Sequence, residues 1–110
     1  SEIVLMEQYF AYENEGKGKT AYPWLINMQH PVANVMKHVL VAPAVELSNL
    51  GGIQPPAKVC PVVEIAGKPC VVMMHMMAGI SPKELGERVA DLTQNRASLR
   101  DALDFLINGY

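Results

Sequence analysis

A pair of apolar runs separated by three residues constrains the fold of this chain more than any other feature. The runs cover 59–65 and 69–77, and Ala66-Gly67-Lys68 lies between them. Two such runs joined by a glycine-containing turn predict a β-hairpin. With Gly67-Lys68 as the tight turn, the expected cross-strand pairs are Ile65 with Cys70, Val63 with Val72, and Pro61 with Met74. Since these pairs point to one wholly apolar face, we expect that face to lie in the core.

The second face of the predicted hairpin is more apolar than a water-exposed surface should be. It carries Val62, Glu64, Val71, Met73, His75 and Met77. Four large apolar side chains on one surface usually have a covering partner. We expect a second subunit to cover part of this face, and the alternative is cover by another segment of the same chain.

The rest of the first half predicts further strands at short intervals. Strands are expected at 8–12, 22–28 and 38–42, and Pro23 favours an edge position for the second of them. The polar stretch 13–19 predicts a loop. Glycines and prolines predict another loop at 48–56, with a helical turn before it. The chain therefore reads as a mainly β domain.

An amphipathic helix is predicted at the end of the chain, from about 94 to 107. Thr93 is the expected cap and Gly109 the expected end. The apolar stripe consists of Leu99, Ala102, Leu103 and Leu106. Phe105 and Ile107 lie off that stripe, and two large apolar side chains on the outer face of a final helix require a partner.

Length and charge narrow the function classes. One hundred and ten residues predict a single domain, 1–110, and a net charge of −2 gives no general attraction to nucleic acid or anionic lipid. Because Met6 is a plausible initiator methionine, residues 1–5 are interpreted as an added segment or as an extended N-terminus. Two cysteines are too few for a disulfide scaffold, and no signal peptide or membrane span is predicted. A cytoplasmic protein is expected.

Two pairs of reactive side chains are candidates for catalysis. Cys60 and His75 face each other in the predicted register, but nothing supplies an orienting group, so a core cysteine is the preferred interpretation. His30 and His38 could act as an acid–base pair on RNA only with a basic surface, which is missing. No metal-ligand spacing is present. We therefore expect no catalytic residue, no metal and no cofactor, and a protein that acts by binding.

The second half of the chain closely resembles the CcdB family of addiction toxins. The matching elements are Cys60-Pro61-Val62-Val63-Glu64-Ile65, Met73 to Ala78, and Gly86-Glu87-Arg88-Val89-Ala90-Asp91-Leu92. The resemblance covers 59–110 in one register and continues more weakly through 25–43 and 8–12, whereas the loop 46–58 is altered. It implies an SH3-like barrel with an antiparallel main sheet, a small three-stranded sheet and a C-terminal α-helix. It also implies a turn and a strand at 81–92, although Ser81-Pro82-Lys83-Glu84 locally predicts a capped helix.

By the same resemblance, the protein would be a homodimer that binds the A subunit of DNA gyrase and traps the gyrase–cleaved-DNA complex. A second partner would be a CcdA-like antitoxin whose disordered segment folds on the dimer. DNA would be contacted only through the antitoxin or gyrase, and no membrane is involved. The gyrase-binding residues implied by position are His30, Val32, Ala33, Asp104, Ile107, Asn108, Gly109 and Tyr110.

The terminus departs from the family pattern. Family members end on Trp-Gly-Ile, and their indole stacks on a gyrase arginine, whereas this chain ends on Asn108-Gly109-Tyr110. This chain has His30 where family members have a small serine, and Ala33 where they have a larger aliphatic residue. The asparagine cannot make a cation–π contact. Two alternatives stay open: an mRNA-cleaving toxin of the MazF type, which shares the barrel, and a non-toxic homologue that binds antitoxin.

Overall fold

The computed structural model describes residues 7–30, 37–53 and 55–109. Seven strands and one α-helix lie within these ranges. The strands are β1 (Phe10–Asn14), β2 (Trp24–Asn27), β3 (Val39–Glu46), β4 (Val62–Ile65), β5 (Lys68–Val72), β6 (Ala78–Ile80) and β7 (Leu85–Asp91), and the helix is α1 (Arg96–Asn108). Single 3₁₀ turns occur at Leu47–Leu50, Met74–Met76, Pro82–Glu84 and Thr93–Asn95.

The strands form one curled antiparallel sheet in the order β4-β5-β3-β2-β1-β7, with β6 added to β3. This half-barrel of strands with a C-terminal helix confirms the predicted mainly β fold. The larger core cluster lies between the sheet and α1, because buried side chains such as Ile26, Val72 and Leu99 meet there. A second, smaller cluster around Leu25 and Val41 lies on the opposite face of these strands.

Pro43 lies in the middle of β3, where a proline would normally break a sheet. One edge of β3 pairs with β5 at residues 44–46 and with β6 at residues 39–41. Pro43 falls between these two segments, and its carbonyl oxygen accepts a hydrogen bond from the Met73 N–H at 2.8 Å. Pro43 therefore lies where the partner of β3 changes from β6 to β5. No backbone hydrogen bond of the sheet is lost because it has no N–H.

The predicted edge position of the second strand is wrong. β2 pairs with β1 on one side and with β3 on the other, so it is an interior strand. Pro23 comes directly before β2, and its carbonyl oxygen accepts a hydrogen bond from the Asn14 N–H at 2.9 Å. The proline therefore begins the strand without interrupting it, a position that a central strand tolerates.

The predicted hairpin is present, but its register is wrong by two residues. Val63 lies opposite Cys70, and Ile65 lies opposite Lys68, so the turn is Ala66-Gly67. Both turn residues have positive φ, 55° and 77°, as in the type I′ turn that suits the twist of a hairpin. A shift of two residues keeps every side chain on its predicted face. Val63, Ile65, Cys70 and Val72 are accordingly all buried in the larger core cluster.

The second face of the hairpin is covered by the chain itself. Val71 and Met73 are buried in a cluster with Val45 and Cys60. The segments that close over them are the 3₁₀ turn Leu47–Leu50 and the loop before β4, together with Tyr22. The expected cover by a second subunit is therefore not needed for these two residues. Val62 remains exposed on this face.

The segment from Ser81 is a 3₁₀ turn followed by a strand, as the family resemblance implied. Ser81 Oγ accepts a hydrogen bond from the Lys83 N–H at 3.3 Å, but the turn ends at Glu84 and β7 begins at Leu85. The local prediction of a capped helix is wrong because β7 pairs with β1, and this pairing overrides the local preference.

Candidate functional site

The C-terminal helix is held to the sheet by its first half and leaves its last turn in solvent. Leu99 and Ala102 are buried in the larger core cluster. Leu106 is 39% exposed and Ile107 is 71% exposed. The predicted stripe is therefore correct for Leu99, Ala102 and Leu103 but does not extend to Leu106. The end of α1 presents two neighbouring apolar side chains to water.

The end of α1 has a defined shape because Gly109 terminates it. Gly109 has φ 79°, and its N–H donates to the Phe105 carbonyl oxygen at 2.8 Å. This left-handed cap is the one expected from the sequence. The predicted cap at the other end is wrong: Thr93 begins a 3₁₀ turn, and α1 follows from Arg96. Thr93 donates its N–H and its hydroxyl to Asp91 Oδ1 at 2.9 and 2.7 Å.

The end of α1 carries negative charge on its own last turns, and Arg100 and Lys58 bring positive charge close to it. The last turn of α1 contains no basic residue, and its free carbonyl groups carry the negative end of the helix dipole. Asp101 and Asp104 add two exposed carboxylates on the same helix. The hydrogen bonds from Thr93 lower the pKa of the exposed Asp91 carboxyl near the start of the helix. The apolar patch therefore has a charged border, in which the carboxylates of Asp101 and Asp104 lie nearer the helix end than Arg100 does.

A groove runs beside the helix end and involves the loop before β4. The cavity measures about 440 Å³ and is lined by Ala57, Lys58, Ser98, Asp101, Phe105 and Gly109. The Lys58 ammonium lies 5.7 Å from the centroid of the Phe105 ring, within range of a cation–π contact. Phe105, which the sequence left without a partner, is therefore half-buried against its own chain.

The structure brings four of the predicted site residues together. Asp104, Ile107, Asn108 and Gly109 are exposed at the end of α1. His30 is exposed after β2, two residues beyond Met28, whose side chain lies in the same core cluster as Leu99. Val32, Ala33 and Tyr110 lie outside the described residues.

Sequence reasoning did not find Lys58 as a neighbour of this surface. Its position depends on the loop between the 3₁₀ turn Leu47–Leu50 and β4, which carries no periodic pattern. A lysine in such a loop gives no signal of which helix it will reach. The signal that did work was the helical period, which placed Ile107 outside the buried stripe.

Cys60 and His75 lie close together as predicted, but not as a cross-strand pair, because the hairpin register differs and His75 lies on the 3₁₀ turn after β5. Cys60 Sγ lies 3.5 Å from His75 Nδ1. Burial raises the pKa of the Cys60 thiol, which disfavours the thiolate that a nucleophile needs. Within the described residues, no group orients the other ring nitrogen of His75. Both cysteines are free and buried, as expected.

The described part of the chain offers no cluster of three or more histidine, cysteine or acidic side chains for a metal ion. Among the same residues, no helix combines the length and apolar character needed to cross a bilayer. The strands, the docked helix and its exposed end define the class: a mainly β protein with a C-terminal helix whose exposed apolar end is suited to binding another macromolecule.

The comparisons with known proteins then identify the family. The chain matches the model of the CcdB family, described as CcdB protein, over residues 8–109. It therefore belongs to the CcdB family, whose members are toxins of toxin–antitoxin modules. No curated protein matches the chain.

Proposed function

We propose that this toxin acts by binding the A subunit of DNA gyrase and trapping the gyrase–cleaved-DNA complex. It would do so as a homodimer in the bacterial cytoplasm, held in check by a CcdA-like antitoxin. The family membership supports a toxin, and the exposed end of α1 supports a mode of action by binding and not by catalysis.

The observation that carries this proposal is the exposure of Ile107 at the end of a firmly docked helix. An isoleucine that moves from water into a protein interface contributes about 1.5–3 kcal/mol. Because Leu99 fixes the helix in the core, the side chain is presented without an ordering cost for the helix itself. Only Asn108 and Gly109 among the described residues follow it.

The charge around the helix end supports a basic surface on the partner. Asp104 and the C-terminal end of α1 are negative, and Asp101 lies one turn earlier. A protein that handles DNA has cationic surfaces, and carboxylates next to an apolar contact favour encounter with such a surface. His30, Val32, Ala33 and Tyr110 belong to the same proposed contact.

Asn108 removes one contact that the family tryptophan would make at this position. The family tryptophan contributes a cation–π contact worth about 0.5–2 kcal/mol, and an asparagine has no aromatic face. We expect this protein to poison gyrase more weakly than family members that end on Trp-Gly-Ile, unless the ring of Tyr110 takes the place of the indole.

A cleavage assay with gyrase from the source organism tests the proposal. The wild-type chain should trap cleaved DNA at micromolar concentration. Ile107→Ser should weaken trapping by about 10- to 100-fold, which corresponds to the loss of one buried isoleucine. Ile53→Ser is the matched control, because Ile53 is also an exposed isoleucine (76%) but lies in the loop after Gly52.

Two outcomes would contradict the proposal. No trapped complex at micromolar protein would exclude gyrase poisoning, and equal effects of the Ile107 and Ile53 substitutions would exclude the helix end. Two further measurements distinguish the alternative functions. Degradation of RNA by the purified protein would indicate the MazF-type activity. Antitoxin binding together with harmless overexpression would indicate the non-toxic homologue.

A further inference from the structure

Met76 is the most exposed methionine of the described residues, and the proposed function makes no use of it. It is 39% exposed at the end of the 3₁₀ turn that follows β5. Met77 packs partly against the larger core cluster. The remaining methionines of the described ranges are at most 9% exposed: Met28, Met73 and Met74. The thioether of Met76 is therefore the one among them that a dissolved oxidant reaches most easily.

The sulfur of Met76 is held in one position although it lies at the surface. The Tyr22 hydroxyl donates a hydrogen bond to Met76 Sδ at 3.3 Å. Tyr22 itself packs against the small cluster that contains Val71 and Met73. The Met76 N–H donates to the Met73 carbonyl oxygen at 3.0 Å and fixes the backbone of the turn. The thioether therefore presents a defined side to solvent.

The hydrogen bond from Tyr22 distinguishes the two lone pairs of this sulfur. A thioether sulfur is a weak acceptor, and its two lone pairs lie on opposite sides of the C–S–C plane. Because the Tyr22 hydroxyl occupies one lone pair, an oxidant that leaves this bond intact must approach the other. Oxidation makes the sulfur a stereocentre, so attack from one side yields one of the two sulfoxide epimers.

We propose that Met76 is a site of reversible oxidation by peroxides and that it forms a single sulfoxide epimer. The free lone pair of Sδ attacks one oxygen of hydrogen peroxide, the O–O bond breaks and a sulfur–oxygen bond forms. The sulfur loses two electrons to the peroxide. The departing hydroxide takes the proton left on the transferred oxygen and leaves as water. The matching epimer-specific methionine sulfoxide reductase restores the thioether, with a dithiol as the reductant and water as the product.

The position of Met76 lets the fold tolerate this modification. A sulfoxide is polar, and in a hydrophobic core it disrupts packing. Met74, two residues earlier, is buried in the larger core cluster beside Leu99, so its oxidation would place a polar group among apolar side chains. The side chain of Met76 stays in solvent instead. Oxidation there changes an apolar surface group into a polar one without a loss of core packing.

Treatment of the full chain with dilute hydrogen peroxide, followed by tandem mass spectrometry of its peptides, tests the site. Met76 should gain one oxygen atom at least about tenfold faster than Met28, Met73 or Met74, because a buried sulfur must wait for local opening of the chain. In urea these methionines should oxidise at similar rates. Treatment of the peptides with each of the two epimer-specific reductases then identifies the epimer. One reductase should restore nearly all of the oxidised Met76, and the other very little.

Tyr22→Phe is the decisive variant, because it removes the hydroxyl and keeps the ring. In this variant both reductases should restore a substantial share of the oxidised Met76, since the two lone pairs are then equally free. Tyr9→Phe is the matched control: it removes the hydroxyl of another partly buried tyrosine and should keep the single epimer. If Tyr22→Phe does not fold, the wild-type chain oxidised in urea serves instead, and it should give both epimers.

Three results would overturn the proposal. Oxidation of Met76 no faster than that of the buried methionines would exclude the site. An even mixture of epimers from the folded wild type would exclude the role of Tyr22, and so would an unchanged single epimer in Tyr22→Phe. The measurement does not involve gyrase, so its outcome is independent of the proposed function.

Discussion

Ala66 has a backbone conformation that its own side chain disfavours. Its φ is 55°, and it shares the hairpin turn with Gly67, whose φ is 77°. A left-handed conformation costs a residue with a Cβ about 1–2 kcal/mol, and a glycine has no such cost. The pairing of β4 with β5 holds Ala66 in this turn.

Replacement of Ala66 by glycine should therefore stabilise the protein. We expect Ala66→Gly to raise the free energy of unfolding by about 0.5–1 kcal/mol, because the relief of strain exceeds the added flexibility of the unfolded chain. Urea denaturation measures it. Ala97→Gly is the control: Ala97 is exposed in α1, and glycine there should destabilise. A loss of stability in both variants would contradict the account of the turn.

Asp91, the last residue of β7, accepts two hydrogen bonds from Thr93 in the turn before α1, and their contribution to stability should depend on pH. The N–H and hydroxyl of Thr93 donate to its carboxylate and hold the pKa of that carboxyl below its usual value. These hydrogen bonds stabilise the folded state fully above the pKa that the carboxyl has in the unfolded chain, about 3.9. Their contribution is lost as the pH falls through the lower pKa of the folded state.

Asp91→Ala should accordingly lower the free energy of unfolding at pH 7. The difference from the wild type should shrink as the pH is lowered below about 4, and urea denaturation across this range measures it. Thr93→Val keeps the backbone donor and removes the hydroxyl, so it should show a smaller effect with the same pH trend. A difference that stays constant with pH would show that the charge of Asp91 is not involved.

Among the secondary-structure elements, the hairpin shows what the sequence could and could not predict. Alternation along 59–65 and 69–77 was enough to assign its faces, because side chains alternate whatever the register. The register depended on the turn, and Ala66 gave no local signal for a positive φ. The interior position of β2 was missed for a related reason, since it depends on pairing with β1 and β3.

The helix end was predicted better than the sheet because its signal is local. The 3.6-residue period separated Leu99 from Ile107, and Gly109 marked the end of α1. The cavity beside the helix could not be predicted, since Lys58 reaches Phe105 from a distant, aperiodic loop.

The docking of α1 should depend on Leu99 far more than on Leu106. Leu99 is fully buried, and its replacement by alanine should cost about 2–5 kcal/mol of unfolding free energy. Leu106→Ala, on the same helix, should cost less than about 1 kcal/mol because its side chain is partly in solvent. The midpoints of urea denaturation compare the two. Equal costs would contradict the observed orientation of the helix.

On the scale of the whole molecule, the apolar surface that a single chain leaves exposed indicates where a second copy could bind. The segments around the 3₁₀ turn Leu47–Leu50 cover part of the face that was expected to need a second subunit. Exposed apolar side chains still remain at Leu40, Ile53, Val62, Met76, Leu106 and Ile107. Some of this surface is available for a homodimer.

The homodimer can be tested without any partner. Light scattering should give twice the 12.1 kDa mass of the chain at micromolar concentration. The melting temperature should rise with protein concentration, because dissociation accompanies unfolding of a dimer. Ile107→Ser should leave the mass unchanged if the helix end is reserved for gyrase. A monomer mass at all concentrations would exclude the dimer.

Antitoxin and gyrase should compete for the toxin if both use the end of α1. The described part of the proposed contact on this helix is small, from Asp104 to Gly109, and an apolar side chain such as Ile107 can be buried by only one partner at a time. Calorimetry with a cognate antitoxin peptide should therefore show binding to the free toxin and little or no heat once a gyrase A fragment is bound. Ile107→Ser should weaken both interactions, whereas Ile53→Ser should weaken neither. Simultaneous, independent binding of both partners would place the antitoxin on a different surface, and the exposed residues Leu40 and Val62 would be the next to test.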